Sequence, residues 1–393
     1  MSEAFIYDTV RTPRGRVKRG GGTLAGVPSY ELLAQLLREL GTRGLPAERV
    51  DDVVIGVNTP AAEQATDLAR VAIMAAEWPD TVPAGIVSRM CCSGLDAIAS
   101  ASAQVRSGQA DLVVAGGAES LSRVPMFSDK PTLATDAELG ELTGFVTIGV
   151  SADLTAAEHG FSREELDAYA VQSHLRAAAA PEWESIVPVR VDGEVILRTD
   201  EGARPDTTAE GLAALAPLFG DDPLWARVEA RFPGFSRPSA GLHTVATAPQ
   251  LSDAASAIVI GSAEAGRSMG REPLGRVVSW AHTAARSPRL DGAAEAARRA
   301  LAKAGIGIQD VRVAEFNESF SVTPLLLMRE LGISADKVNV HGGGVSVGHP
   351  LGATGGILLA NAMDLLRRSG GGYGLLVIPA ALGVSMAVVI ESF

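Results

Sequence analysis

Val87-Ser88-Arg89-Met90-Cys91-Cys92-Ser93-Gly94, running into the Ala/Ser-rich segment Leu95 to Arg106, is the stretch on which the reading of this chain turns. A strand-like run, Val53-Val54-Ile55-Gly56-Val57-Asn58, precedes it, and Arg106-Ser107-Gly108 leads out of it into a second strand, Asp111-Leu112-Val113-Val114-Ala115-Gly116-Gly117. The same order recurs later. Val311-Arg312-Val313-Ala314-Glu315-Phe316-Asn317 is followed by the Gly-rich corner Gly342 to Gly352, a helix to Arg368 and the strand Gly374 to Ile378. Strand, corner, helix and short-turn strand occurring twice predict two similar α/β halves that face each other and bring the two corners toward one pocket.

Cys91 and Cys92 are the only cysteines. Adjacent cysteines make neither an ordinary structural bridge nor a zinc site, which leaves thiol chemistry or two small core residues. At the mouth of a helix the unpaired N–H groups favour the thiolate, and Ser93-Gly94 keeps the approach open. A thiol nucleophile needs a base, and His349, between Gly348 and Pro350 on the second corner, has the most informative setting of the six histidines. There its side chain is expected to be displayed, and as an imidazolium it would lower the thiol pKa. His159, His174, His243, His282 and His341 read as surface or core residues. Asn317-Glu318-Ser319 ends a predicted strand, where the amide can orient a water or carbonyl, Glu318 can fix a neighbouring ring, or Asn317 can simply cap the next helix.

A net charge of −12 with scattered basic residues gives no footprint for nucleic acid. The uncharged stretch Gly374 to Ile390 is broken by Pro379 and falls short of the ~20 residues of a membrane span, so two buried strands are expected. Ala4-Phe5-Ile6-Tyr7 starts a strand where a signal peptide would stand, and two thiols without a disulfide framework fit the cytoplasm. No metal site is expected. The segment from Ser120 to His243 differs in character. Ser162 with Glu165 makes a capping box for a helix to Ala180, while the rest alternates Pro, Gly and charge and reads as an inserted, loop-rich lid. The expected division is 1–119 with 244–270 as the first half, 120–243 as the insertion and 271–393 as the second half.

Over nearly its whole length the chain resembles the thiolase family. The residues carrying the resemblance are Arg11-Thr12-Pro13, Arg89-Met90-Cys91-Cys92-Ser93-Gly94, Gly116-Gly117-Ala118-Glu119-Ser120, Asn317-Glu318-Ser319-Phe320, and Gly342-Gly343-Gly344 through Gly348-His349-Pro350-Leu351-Gly352-Ala353. Ser162 to Ala180 and Arg204 to Leu212 are most similar to the 3-ketoacyl-CoA thiolase β-subunits of bacterial fatty-acid oxidation. The resemblance implies a duplicated five-layer αβαβα fold with an inserted loop domain, a homodimer or homotetramer, and CoA thioesters as substrates with no permanently bound cofactor. It further implies that Cys91 carries the acyl group, that His349 activates it, and that Asn317, through a water, and His349 hold an enolate oxygen. Glu318, Ser93 and Gly348 would support them.

The chain departs from the family where chemistry and substrate meet. Thiolases close with Cys-Ile-Gly-Gly-Gly, whose cysteine shuttles a proton and whose first glycine N–H lines an oxyanion hole. In the same register stands Val377-Ile378-Pro379-Ala380-Ala381-Leu382-Gly383, with an aliphatic side chain at the shuttle and a proline lacking N–H at the donor. The family's Gly-Asn-x-Ser-Gly pantetheine loop is replaced by Ala246-Thr247-Ala248-Pro249-Gln250, and Ser88 stands for a usual Asn. These features leave open Claisen-type condensation or thiolysis through acyl-Cys91, decarboxylative condensation needing no shuttle, transfer to another acceptor, and a non-catalytic acyl-CoA-binding subunit. The altered loop also admits an acyl-carrier protein as donor or a second subunit as partner.

Overall fold

The computed structural model describes residues 3–393. Twelve strands are assigned among them: β1 (Phe5–Arg11), β2 (Gly15–Arg16), β3 (Asp52–Gly56), β4 (Ala84–Val87), β5 (Leu112–Ser120), β6 (Val189–Val191), β7 (Glu194–Leu197), β8 (Ser252–Gly261), β9 (Gly275–Ala284), β10 (Val311–Phe316), β11 (Gly372–Pro379) and β12 (Val384–Ser392). Apart from the small hairpin β6–β7, they form one sheet in the order β10-β11-β12-β9-β1-β8-β5-β3-β4, with β2 on β8. Each half repeats the same pairing logic. Parallel β3 and β5 continue into antiparallel β8, as parallel β10 and β11 continue into antiparallel β12. The halves join where β1 meets β9, Phe5 opposite Arg276 and Ile6 opposite Gly275.

Layering follows from the side chains on the two faces of each strand. In the first half Val53, Val114 and Val259 face outward under α1 (Ser29–Thr42) and α2 (Leu68–Ala75). Val113, Ala115 and Ile258 face inward onto α3 (Ser93–Ser107). Six helices lie in the insertion: α4 (Thr132–Thr135), α5 (Ala137–Thr143), α6 (Ile148–Glu158), α7 (Arg163–Ala178), α8 (Ala209–Ala213) and α9 (Trp225–Arg231). After α10 (Ala263–Met269) come α11 (Ala293–Ala304) and α12 (Val322–Leu331), which cover the outer face of the second half. The short α13 (Gly344–Val347) precedes α14 (Thr354–Arg368), the partner of α3 in the central layer. Every residue of α14 from Thr354 to Leu366 is buried, as a helix enclosed on all sides in the central layer requires.

The insertion sets six helices and the β6–β7 hairpin among turns and loops that make up more than half of it. Polar residues there act as caps: Asp136 accepts from Leu139 N at 2.9 Å, the Ser162 capping box is formed, and Thr208 accepts from Gly211 N at 3.2 Å. Fully buried Trp225 stacks on Phe235 and, with Val146, Val150 and Leu154, gives the segment a small core of its own. The Pro and Gly positions thus punctuate short helices.

The two central helices meet through glycine. A Cβ on Gly94 would stand 2.6 Å from the Gly352 carbonyl oxygen, a backbone atom that cannot swing aside. Alanine is the better helix former by about 1 kcal/mol, but overpacking typically costs about 1–3 kcal/mol. Gly94→Ala is therefore expected to lower the urea midpoint of unfolding, and a raised midpoint would contradict this contact.

Candidate active site

The Cys91 turn is tight and partly strained. Met90 adopts φ +50°, uncommon for a side chain of its size, while Cys92 N donates to Arg89 O and Ser93 N to Met90 O, both at 3.0 Å. Ser93 closes the turn by accepting from Arg89 N at 2.8 Å. Cys91 precedes α3 and is 8% exposed, whereas Cys92 is fully buried with its thiol donating to Ile378 O at 3.3 Å. Cys91, Leu351 and Ile378 share the central apolar cluster, which gathers both corners and the end of β11.

His349 is buried and not displayed as expected, because the corner folds inward under three ties. Its backbone N donates to Gln250 O at 2.8 Å, and Gln250 Nε2 donates to Ser346 O at 2.6 Å. Gly348 has φ +103°, a conformation only glycine takes readily, and its carbonyl accepts from Arg14 Nη1 at 3.3 Å. Arg14 and Arg11 are themselves held by the Asp200 carboxylate at 2.8 Å each.

The ring carries a defined tautomer. Asn317 Nδ2 stands 3.3 Å from His349 Nε2 and can only donate, so Nε2 presents its lone pair. The proton then lies on Nδ1, which donates to Thr354 Oγ1 at 2.7 Å. Asn317 Nδ2 also donates to Ser319 Oγ at 2.7 Å, whose hydroxyl donates to Pro379 O at 2.9 Å. Glu318, expected to fix a neighbouring ring, holds that of Tyr169 and makes no hydrogen bond to His349. Its carboxylate accepts from Tyr169 and Ser173 hydroxyls at 2.8 Å and from Val345 N at 2.9 Å, bracing α7 against α13. Thr354 takes the ring-fixing role.

Burial and the nearby Arg14 cation push the His349 pKa down to about 3. Burial, reinforced by the Glu119 carboxylate, pushes the Cys91 thiol up to about 12. The resting pair is therefore neutral thiol and neutral imidazole, which corrects the expectation of an imidazolium lowering the thiol pKa; no hydrogen bond joins the two side chains among the described residues. Glu119 itself is raised to about 7 by burial, against hydrogen bonds from Asn58 N, Gly352 N, Gln64 Nε2 and Thr59 N. It ties the Cys91 half to the backbone three residues beyond His349.

The departed positions occupy definite places. Val377 is fully buried among Phe316, Leu327 and Ala387 in the outer layer, on the strand face opposite Ile378. Pro379 pairs with Ser385 at the end of β11, and Ala380 N is already committed to Val384 O at 2.7 Å. In the substituted loop Thr247 Oγ1 accepts from Thr244 N at 2.8 Å, Thr247 O accepts from Ser321 N at 2.9 Å, and half-buried Ala248 packs beside Phe320 while Pro249 is half-buried. No cluster of three or more His, Cys, Asp or Glu residues able to hold a metal occurs among the described residues. No helix among them is long and apolar enough to cross a membrane.

Family models for the thiolase N-terminal domain and C-terminal domain match residues 4–223 and 271–392. The chain belongs to the thiolase family. A 3-ketoacyl-CoA thiolase of Bacillus subtilis is 36% identical over 411 residues, and a beta-ketoadipyl-CoA thiolase of Pseudomonas putida 34% over 420, each alignment covering 100% of both chains. The crystal structure of the Bacillus anthracis acetyl-CoA acetyltransferase superposes with a TM-score of 0.86 at 31% identity, covering 100% of this chain and 99% of that one. This thiolase is accordingly an acyltransferase of the superfamily, with the layered α/β fold described above.

The thiol of a neutral pair gains thiolate only as pH approaches its raised pKa. Iodoacetamide alkylation of Cys91 is expected to rise about tenfold per pH unit from pH 7 to 10, and His349→Gln should leave that slope intact. A plateau by pH 8 would contradict the neutral pair.

Proposed function

We propose that Cys91 takes an acyl group from a CoA thioester, with His349 Nε2 accepting the thiol proton as sulfur attacks the carbonyl. The observation that carries this reading is the Nδ1–H tautomer set by Thr354 and Asn317, which keeps Nε2 unprotonated, so that it can take the thiol proton once Asn317 turns from it to the substrate. Loss of CoA as its thiol, protonated by the same imidazolium, completes acyl-Cys91 and restores the neutral ring. In the second half-reaction His349 and Asn317 would serve the enolate oxygen of a second thioester, as the family resemblance implies, giving Claisen-type condensation or its reverse, thiolysis.

The substitutions at β11 weigh on that second half-reaction. Losing one oxyanion donor costs ~3 kcal/mol and losing an acid/base group ~10²–10⁴ in rate. Pro379 offers no N–H, and Val377 offers no proton and faces the outer layer. The same absence favours a second reading, in which the enolate arises by decarboxylation of the second thioester and needs no shuttle.

Peptide mapping after acetyl-CoA treatment should find the acetyl group on Cys91, with none in Cys91→Ala; labelling of Cys92 alone would overturn the assignment. Acetoacetyl-CoA thiolysis should run at least ~10²-fold below that of a family member with the second cysteine. Because Val377 faces away, Val377→Cys should restore little of it, and full restoration would contradict the placement of that side chain.

A homodimer is supported by the edge strand β4, which pairs only with β3, and by Met74, 53% exposed on the adjacent α2. Sedimentation equilibrium should give a particle of two 40.6 kDa chains, and a monomer at micromolar concentration would contradict it.

A further inference from the structure

Where the second corner meets the end of α7, the segment from Pro181 to Pro188 and the residues after β7, a cavity of about 320 Å³ opens. It shares no residue with the Cys91 turn. Ala177, Ala180, Ile186, Pro188 and Val347 make its walls largely apolar, and the Trp183 ring closes one side. That ring is fixed in place. It lies over the Arg11 guanidinium at 5.7 Å and meets the His341 ring edge-on, with centroids 5.4 Å apart. Close by, Ser185 donates from N and Oγ to Asp364 of α14 at 3.1 and 2.8 Å, which ties the segment carrying Trp183 to the central layer. A preformed cavity of this size suits a small organic molecule.

The polar groups around it are mostly donors without a partner. Asp200 is saturated, since its carboxylate accepts from Arg11 Nη1 and Nη2 at 2.8 and 3.0 Å and from Arg14 N and Nη2 at 2.8 Å each. By contrast the Trp183 indole N–H, the His341 ring, the Arg198 guanidinium and the Thr199 hydroxyl have no hydrogen-bond partner among the described residues. Burial and the nearby Arg368 and Arg176 cations hold the His341 pKa below its ordinary value, so the ring is neutral and the field around it is positive. One acceptor is left on the lining, the exposed Glu182 carboxylate, also without a partner among the described residues. An unpaired guanidinium beside an indole N–H calls for an oxyanion, while Glu182 would repel a second negative charge.

We propose that this cavity binds a short-chain monocarboxylate, with Arg198 taking the carboxylate, Trp183 and His341 completing its hydrogen bonds, and the hydrocarbon lying against Ile186 and Val347. The unspent donors set the charge of the ligand, the apolar walls set its body, and Glu182 limits it to one charge. The site borders the reaction corner, since Val347 lines it two residues before His349 and Asp200 holds the Arg14 side chain that grips Gly348 O. It does not rest on the acyl-thioester reading.

Titration calorimetry of the full chain tests it with butyrate, butyramide, butylammonium and inorganic phosphate. Butyrate should bind in the millimolar range and the other three at least about tenfold more weakly. Arg198→Gln should weaken butyrate about tenfold, Arg198→Lys less, and Trp183→Phe, which keeps a ring and removes the N–H, should weaken it several-fold. Arg198 is exposed and makes no internal bond, so its substitutions should leave the urea midpoint unchanged, which separates loss of the site from loss of the fold. Butyramide or phosphate binding as tightly as butyrate would overturn the proposal. So would a butyrate affinity unchanged in Arg198→Gln, or no butyrate binding at all.

Discussion

Everything at the reaction site depends on the backbone contact between the two central helices. Gly94 at the start of α3 lies directly against Gly352 at the entrance to α14, with no room for a side chain between them. The contact places the Cys91 turn and the His349 corner at the same end of the central layer, although 258 residues separate them. Glu119 reinforces it by accepting hydrogen bonds from the first half at Asn58 and Thr59 and from the second at Gly352. Cys91 therefore sits in a buried setting beside Glu119 that favours the neutral thiol.

A neutral resting pair suits acyl transfer in a buried site. An imidazole whose pKa is held down near 3 does not compete for solvent protons, and Asn317 with Thr354 leaves its lone pair on Nε2. On the role proposed for Cys91, the thiol would give up its proton as the S–C bond develops, which would couple deprotonation to attack. The Arg14–Asp200 ion pair serves the same end from behind, since Arg14 both grips the Gly348 carbonyl and disfavours a second positive charge on the ring.

The duplicated architecture was legible, and Cys91 and His349 stood out as candidates, because glycine-rich corners at the starts of helices leave a strong local pattern. Other parts were not. Arg14 and Asp200 are 186 residues apart, and nothing local in either announces the pairing. Thr354 reads as an ordinary residue at a helix start until His349 is folded against it. The burial of His349 was missed because a Gly-His-Pro corner resembles a surface turn, and only the Gln250 clamp turns it inward. Val377 illustrates a limit of pattern reading: a strand buried on both faces is apolar throughout and carries no alternation, so the sequence cannot say which way its side chain points. The capping box at Ser162 announced α7, whereas the shorter helices of the insertion were hidden because Pro and Gly at their ends look the same as Pro and Gly within loops.

The central claim, which rests on the role proposed for Cys91, is that this chain would load an acyl group efficiently and resolve it slowly, because β11 offers neither a shuttle thiol nor an N–H at Pro379. Rapid mixing with acetyl-CoA, with released CoA followed by a thiol reagent, tests it most directly. The account predicts a burst of CoA approaching one equivalent per chain, followed by a much slower steady rate. A linear release of CoA from the first turnover, or no release at all, would contradict it.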